Sequence, residues 1–367
     1  MSRNPPARFE IPNWPVAPAR LAETMQSMLT DGSWGKYEGQ WTSRLQSDLA
    51  AYLGRQHVHL CCSGTIATEI ALHGLGVRPG QFVALAGYDF PGNFRAIESV
   101  GCIPVLVDVL PDGWVMSPES LDAALKEDVV AIVVSHLHGQ LADMPKIMEI
   151  ASAKDIPVIE DCCQVPGALI GGWRVGTFGD VATFSFGGSK LLTGGRGGAS
   201  VTDDEAVSQR MRVFTDRGND AFPLSQLQAA CVVCMLEELD VLNQKRGAAV
   251  EFVFDQLRES ALPVGVPAKD SIQSSAWYKV PFLMSDHLLE QSPRSSWMER
   301  FQSAGIPLDE GFRGFHLRST RRCKKPVDLS NSKPAAERTL LLHHPAMLMD
   351  RVGLEVMTAA IIQAVTI

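Results

Sequence analysis

The chain has 367 residues, 46% of them apolar, with 33 Lys and Arg against 41 Asp and Glu for a formal charge of −8. That length points to a large domain plus a smaller one, and the acidic balance argues against a nucleic-acid partner, which needs a basic face. The opening MSRNPPARFEIPNWP lacks the apolar stretch of a secretory signal and no run reaches the roughly 18 apolar residues of a membrane span, so the sequence reads as cytoplasmic and soluble, with no membrane partner.

From about residue 56, short apolar runs alternate with amphipathic segments, the pattern of strands and helices around a mostly parallel sheet. VHLCC leads into SGTIATEIALHGLG, which places Ile66 and Ile70 on one helical face and ends in Gly74 and Gly76. QFVALAG, IPVLVDV, VVAIVVSH, IPVIEDC and VATFSF read as strands, and NFRAIESVG, SPESLDAALKE and DMPKIMEIASAK as helices between them. A longer helix is expected across LSQLQAACVVCMLEELDVLNQKR, where the alternation stops. The boundary is therefore placed there, with residues 1–246 forming a large α/β domain and 247–367 a smaller α+β domain. RSTRRCKKPVDLSNSKPAAER is polar, basic and Pro-containing, which suits a surface loop. The eight cysteines lie mostly in apolar segments and read as reduced core thiols. Cys231 and Cys234 at helical spacing lack a second ligand pair, and Cys61, Cys62, Cys162 and Cys163 read the same way.

Ligands of open α/β sheets collect at the carboxyl ends of strands, so polar residues just after apolar runs are the places to look. Four stand out: SGT at 63 to 65, GYDFPGN, EDCCQ, and GGSKLLTGGRGG. A helix start offers unpaired N–H groups and the positive end of its dipole, which suit a phosphate, while N-capping by Ser63 or Thr65 accounts for the same residues. Asp161 ends an apolar strand, where a carboxylate needs a cation or donors. Either a bound protonated ring nitrogen or a structural role, as a salt-bridged or hydrogen-bonded Asp, would meet that need. Lys190 lies between Gly188 and a second cluster at Gly194, Gly195, Gly197 and Gly198. Those glycines let the backbone close around a bulky ligand, although a solvated surface lysine is the plain alternative. Neither a Walker A loop nor a dinucleotide fingerprint fits the segment.

In the order DGSWGKYEGQW, SGTIA, GYDF, VVSHLHGQLADM, IPVIEDCCQVPGA, VGTFGDVATFSFGGSKLLTGGRGGA, SQLQAA and LLLHHPAML, these motifs form a set. The set resembles the DegT/StrS family of pyridoxal-phosphate-dependent aminotransferases that act on nucleotide-linked keto-sugars and cyclitols. The resemblance covers most of the chain. It implies the aspartate-aminotransferase fold (fold type I), with a mostly parallel seven-stranded type of sheet, 1–246 as the pyridoxal-phosphate-binding domain, and a homodimer with shared active sites. Lys190 then matches the Schiff-base lysine, Asp161 the partner of the pyridine nitrogen, and Gln164 the residue near the cofactor's phenolic oxygen. Phe90 matches the aromatic ring on the cofactor face, and Gly64, Thr65 and Ser185 match the phosphate site. Trp34, Tyr37, Tyr88, Arg313 and His316 fall where the substrate is expected. The implied reaction moves an amino group from an amino acid, glutamate or glutamine, to a keto-sugar, keto-cyclitol or related ketone of secondary-metabolite or sugar biosynthesis. Asp161 would keep the ring nitrogen protonated, and Lys190 would carry the substrate proton as base and acid.

Three departures from the family pattern matter. Arg196 stands where a glutamate is usual, which leaves substrate preference open. The loop before SQLQAA is short and carries Ala221 at the expected phosphate-binding asparagine, so Asn219, or failing it Arg217, is expected to reach the partner chain's site. GFRGFHLRSTRRC is rich in arginine: Arg313, Arg318, Arg321 and Arg322 suit an anionic substrate or a solvated basic loop. A pyridoxal-phosphate lyase or dehydratase would share every residue named, but the family's dehydratases carry a histidine at the lysine position, which this chain does not. Joint retention of Lys190, Asp161 and Gln164 argues against a non-catalytic regulatory homologue. No metal is expected, because His136, His138, His316, His343 and His344 have no closely spaced carboxylate or Cys to complete a ligand set.

Overall fold

The computed structural model describes residues 9–260, 262, 264–267 and 274–366. Two helices, α1 (Leu21–Asp31) and α2 (Gln40–Leu53), precede the first strand, β1 (His57–Cys61). Next come α3 (Gly64–Gly74), β2 (Phe82–Ala86), α4 (Pro91–Ser99), β3 (Ile103–Val107), α5 (Pro118–Ala124), β4 (Val129–Ser135), α6 (Met144–Ser152) and β5 (Val158–Asp161), in strict alternation as the apolar runs imply. Helices α4, α5 and α6 all begin with proline in the first turn, where no amide hydrogen is needed. A small hairpin of β6 (Leu169–Ile170) and β7 (Trp173–Arg174) leads to β8 (Val181–Ser185), β9 (Gly198–Thr202), α7 (Glu205–Thr215) and α8 (Gln226–Glu259).

The large sheet runs β1-β9-β8-β5-β4-β2-β3. Pairing is parallel from β8 to β3, and β9 runs antiparallel to both β1 and β8. Strands such as Ile132–Val134 are buried on both faces because helices cover each side, which is why they read as unbroken apolar runs. One face packs on Leu45 and Leu49 of α2 with Val232 and Val233 of α8, and the other on Ile70, Phe94, Ile97 and Met211. Each such side chain contributes about 1.5–3 kcal/mol on burial. Strand β9 went unread in the sequence because GASVT is short, glycine-led and only weakly apolar.

Beyond α8 lie β10 (Val264–Gly265), β11 (Lys279–Met284), α9 (Asp286–Gln291), α10 (Arg294–Ser303), β12 (Leu308–Glu310), α11 (Ser332–Arg338), β13 (Thr339–His343) and α12 (Arg351–Thr366). The four strands form a separate antiparallel sheet, β10-β11-β13-β12. Helix α8 starts with a capping box between Ser225 and Gln228 and passes straight through position 246/247. Its second half, with Val250, Val253, Phe254 and Leu257, packs with the core of the small sheet. No linker exists at the expected boundary, since one continuous helix serves both cores.

The basic segment after residue 317 is more ordered than a surface loop. The Leu106 amide donates to the Lys324 carbonyl at 2.9 Å and the Lys324 amide to the Pro104 carbonyl at 2.8 Å, adding a rung to the free edge of β3. Its last residues form α11, whose start is fixed by the Asp108 carboxylate accepting from the amides of Asn331 and Ser332.

Candidate active site

Parallel register sets Ser135 beside Asp161 and Asp161 beside Thr183 at the strand ends. Asp161 is 5% exposed. Its Oδ2 accepts from Asn93 Nδ2 at 2.7 Å and Ser135 Oγ at 3.4 Å, and its Oδ1 from the Cys163 amide at 2.9 Å. Among the described residues no Lys, Arg or His bonds to it. A carboxylate this deep holds its charge only with donors and a cation, and the chain supplies the donors alone. Of the structural readings of Asp161, a salt bridge has no partner among the described residues, while a hydrogen-bonded structural Asp has these three donors.

The SGT turn serves as a cap and as a cradle. Ser63 Oγ accepts from the Ile66 amide at 3.2 Å, capping α3. Gly64 lets that turn lie against β8, because a Cβ there would stand 2.7 Å from Ser185 Cβ. A Cβ on Gly92 would meet both the Phe90 ring and Thr65 Oγ1, so the starts of α3 and α4 converge beside Phe90. The Phe90 ring is 43% exposed, with Phe312 edge-on at 5.8 Å. Gln164 is buried; its Oε1 accepts from the His138 amide at 3.1 Å, and its Nε2 makes no hydrogen bond within the described chain.

Lys190 is half-buried, with Nζ 4.2 Å from the centre of the Tyr278 ring and no ion pair among the described residues. The preceding residue is clamped. Ser189 Oγ meets Tyr278 Oη at 2.8 Å, and the Ser189 carbonyl faces the Nε2 atoms of His343 at 3.2 Å and His344 at 3.1 Å. Arg246, fully buried on α8, donates from Nε to His344 Nδ1 at 3.2 Å, so Nε2 of His344 carries the hydrogen given to Ser189. Burial, with the Arg246 charge beside it, pushes this imidazole down to about 2, and it stays neutral. Within the second glycine cluster a Cβ on Gly198 would stand 2.6 Å from Ser63 backbone and one on Gly194 2.7 Å from the Gln228 carbonyl, whereas Gly195 has open space beside it. Gly194 and Gly198 bring protein backbone to protein backbone. The Cys163 thiol is pushed up by burial and by the Asp161 charge, while the Lys190 charge acts the other way.

The substrate residues expected from the sequence are less well gathered. Tyr88 is fully buried, its hydroxyl accepting from the Phe312 amide and meeting His138 Nε2, both at 3.0 Å. A direct substrate contact would require that packing to open. Trp34 is 49% exposed and Tyr37 95% exposed. Arg313 is exposed, and His316 is half-buried with both ring nitrogens lacking partners. Arg322 is held by a two-pronged bond to Glu98 and is not free for a substrate, Arg318 lies over the Phe94 ring at 5.7 Å, and Arg321 is exposed. Asn219 and Arg217 are on an exposed turn, and Ala221 is tied back by its amide to the Thr215 carbonyl.

The statement that no carboxylate or Cys neighbours a histidine fails in space. His136, Glu160 and Cys162 bring their ligand atoms within 4.8 Å of one another, all buried. Glu160, however, accepts from the amides of Gly176, Phe178 and Gly179 as well as facing His136 Nε2 at 3.2 Å. Burial pushes its carboxyl up, yet His136 and those amides outweigh it and hold it below its ordinary value. Its oxygens are spent on tying the β6–β8 loop to β5. Sequence reading also missed Asp89, Asn93, Ser135, Tyr278 and Arg246. For the first two the signal was present, an Asp at a strand end with an Asn four residues on at a helix start.

The model of the DegT/DnrJ/EryC1/StrS aminotransferase family matches residues 18–359. The chain belongs to that family. Among its relatives is an L-glutamine:2-deoxy-scyllo-inosose aminotransferase of Streptoalloteichus tenebrarius, 30% identical over 396 aligned positions that span 95% of this chain and 93% of the relative. The fold is shared with 3-amino-5-hydroxybenzoic acid synthase (TM-score 0.88, 24% identity, 98% and 99% of the two chains). It is shared also with the Escherichia coli GDP-4-keto-6-deoxy-D-mannose-3-dehydratase with bound hydrated PLP (TM-score 0.84, 18% identity, 96% and 99%). The family is one of pyridoxal-phosphate-dependent aminotransferases, and membership makes this chain an aminotransferase. Its mostly parallel sheet flanked by helices is the architecture that the resemblance implied. No helix among the described residues is long and apolar enough to cross a membrane.

Proposed function

We propose that the protein binds pyridoxal phosphate through Lys190 and transfers the amino group of glutamine to a keto-cyclitol or related keto-sugar. The observation that carries the cofactor reading is Asp161: a 5%-exposed carboxylate at the end of a parallel strand, with three donors and no Lys, Arg or His bonded to it among the described residues. A protonated pyridine nitrogen supplies the missing charge. Phe90 offers an open ring face, Gln164 a spare amide donor for the phenolic oxygen, and Gly64, Thr65 and Ser185 a narrow cradle for the phosphate. Bound pyridoxal phosphate supplies an electron sink for the pair left when a substrate C–H bond breaks. Asp161 keeps the proton on the ring nitrogen, and Lys190 Nζ moves the substrate proton between two carbons as base and then acid. The Ser189 clamp holds that amine in place. The donor and acceptor rest on the named activity of the Streptoalloteichus relative. The working unit in this reading is a homodimer in which Asn219, on its exposed turn, reaches the phosphate of the partner's site.

Purified protein is expected to absorb in the visible range and to lose that band when glutamine is added. Borohydride reduction and peptide mapping should place the label on Lys190, and Lys190→Ala should abolish it. A label on any other lysine overturns the assignment. A band indifferent to glutamine and glutamate, with water eliminated from the ketone substrate, would turn the reading to a lyase.

A further inference from the structure

Behind Asp161 lies a second buried carboxylate for which the reaction above has no use. Asp89, at the end of β2, is 0% exposed. Its Oδ1 accepts from the Phe90 amide at 2.6 Å, and Asn93 Nδ2 lies 3.3 Å away; its Oδ2 is 2.8 Å from Ser135 Oγ. The same two side chains serve Asp161, Asn93 at 2.7 Å and Ser135 at 3.4 Å, and Asn93 Nδ2 is also 3.0 Å from Ser135 Oγ. The two acids thus share one hydroxyl and one amide group.

Counting hydrogens decides between the charge states. With both acids ionised, the Phe90 and Cys163 amides serve one Oδ1 each, but the two Oδ2 atoms would share the one Ser135 hydrogen and the Asn93 amide with no cation bonded to either among the described residues, and like charges so placed do not both ionise. With a proton on Asp89 Oδ2, that proton goes to Ser135 Oγ. The Ser135 hydrogen then turns to Asp161, and Asn93 gives one hydrogen to Asp161 and one to Ser135. The Ser135 hydrogen and one Asn93 hydrogen then both serve Asp161. We propose that Asp89 is held as a neutral carboxylic acid that donates through Ser135 to Asp161, a positioning residue that makes Asp161 the one ionised carboxylate of the pair. The inference rests on the reading of Asp161 as partner of the ring nitrogen. With Asp89 neutral, one negative charge meets one positive charge.

The surroundings agree. The titratable groups facing Asp89 are Asp161 from β5 and the neighbouring Tyr88 phenol, and neither brings positive charge. Burial and then the Asp161 charge push the Asp89 carboxyl up to about 8, against the pull of Ser135, the Phe90 amide and Asn93. The unfolded chain releases this proton near pH 4 and the folded chain near 8. The folded state therefore binds more protons in between, and stability falls as pH rises across that window.

The test is infrared spectroscopy of the full-length protein stripped of cofactor, paired with variants. A carbonyl stretch of a protonated acid, shifted in deuterium oxide, is expected at pH 7, and it should be missing in Asp89→Asn. Asp89→Asn keeps shape and neutrality but has no proton to release, so the stability loss between pH 4 and 8 should flatten. Ser135→Ala should keep the acid band at a changed frequency and lower kcat about tenfold or more with little change in KM. A wild-type spectrum without the band, or one unchanged by Asp89→Asn, overturns the proposal even if Asp161→Asn is inactive. An active Asp161→Asn with the band intact would instead overturn the cofactor reading. If Asp89→Asn fails to fold, the band's response to Ser135→Ala decides the matter, and no response overturns the proposal.

Discussion

Asp161 and Arg246 are both buried charged groups without an ion pair among the described residues, and they differ in what surrounds them. Asp161 sits at a strand end among donors and keeps a little exposure, 5%. Arg246 sits mid-helix and is sealed. Its Nε goes to His344, its Nη1 to Asn243 at 3.4 Å, its carbon lies 5.1 Å from the centre of the Trp14 ring, and Nη2 has no partner. Burial alone pushes the guanidinium down to about 10, which still leaves it charged at neutral pH. An uncompensated charge beside an opening is a request for a ligand. The same charge behind closed walls serves the neighbour it touches, here the His344 ring that clamps Ser189 beside Lys190.

The largest effect should come from the open pole. Asp161→Asn keeps a hydrogen-bonding group at the ring nitrogen but cannot hold a proton there, so turnover should fall about a hundredfold or more while cofactor is retained. Stopped-flow spectra with glutamine would check this, and near-normal turnover would end the distinction between the two poles. At the closed pole the order of effects reverses. Arg246→Met removes a poorly paired buried charge at similar volume, so the melting temperature should hold or rise, whereas Arg246→Ala leaves a cavity costing about 2–4 kcal/mol. In both variants His344 loses the donor that fixes its tautomer. A fall in kcat of about tenfold is therefore expected even where stability rises. Denaturation curves beside kinetics separate the two, and unchanged kcat in Arg246→Met would reduce Arg246 to packing.

The smallest effect on the isolated chain belongs to Asn219→Ala. Its turn is exposed and its side chain has no partner among the described residues, so stability should stay within about 0.5 kcal/mol. Only the partner's phosphate should notice. Mixed dimers of Asn219→Ala and Lys190→Ala should recover one intact site of two. A mixture that forms dimers without regaining activity would show that this turn does not cross the interface.

The sequence by itself determined the strand and helix order of the large sheet, because runs buried on both faces must be apolar throughout and the helices between them must be amphipathic. It also marked Lys190, Asp161 and Gly64, since polar groups and glycines just after such runs stand out, while Ser185 came only from the resemblance. Other features belonged to the tertiary structure. Position 246/247 reads as a boundary because periodicity changes there, yet α8 continues, for a helix can pass from one core to another without changing its local pattern. Gly194 and Gly198 read as room for a ligand and turned out to admit backbone, since a glycine does not say what approaches it. Asp89, Asn93 and Ser135 come from three elements, and Arg246, His344 and Ser189 from three more. Only parallel register and helix packing bring each trio within hydrogen-bond range, and that adjacency, not residue type, decides which charges are served by the chain and which await a ligand.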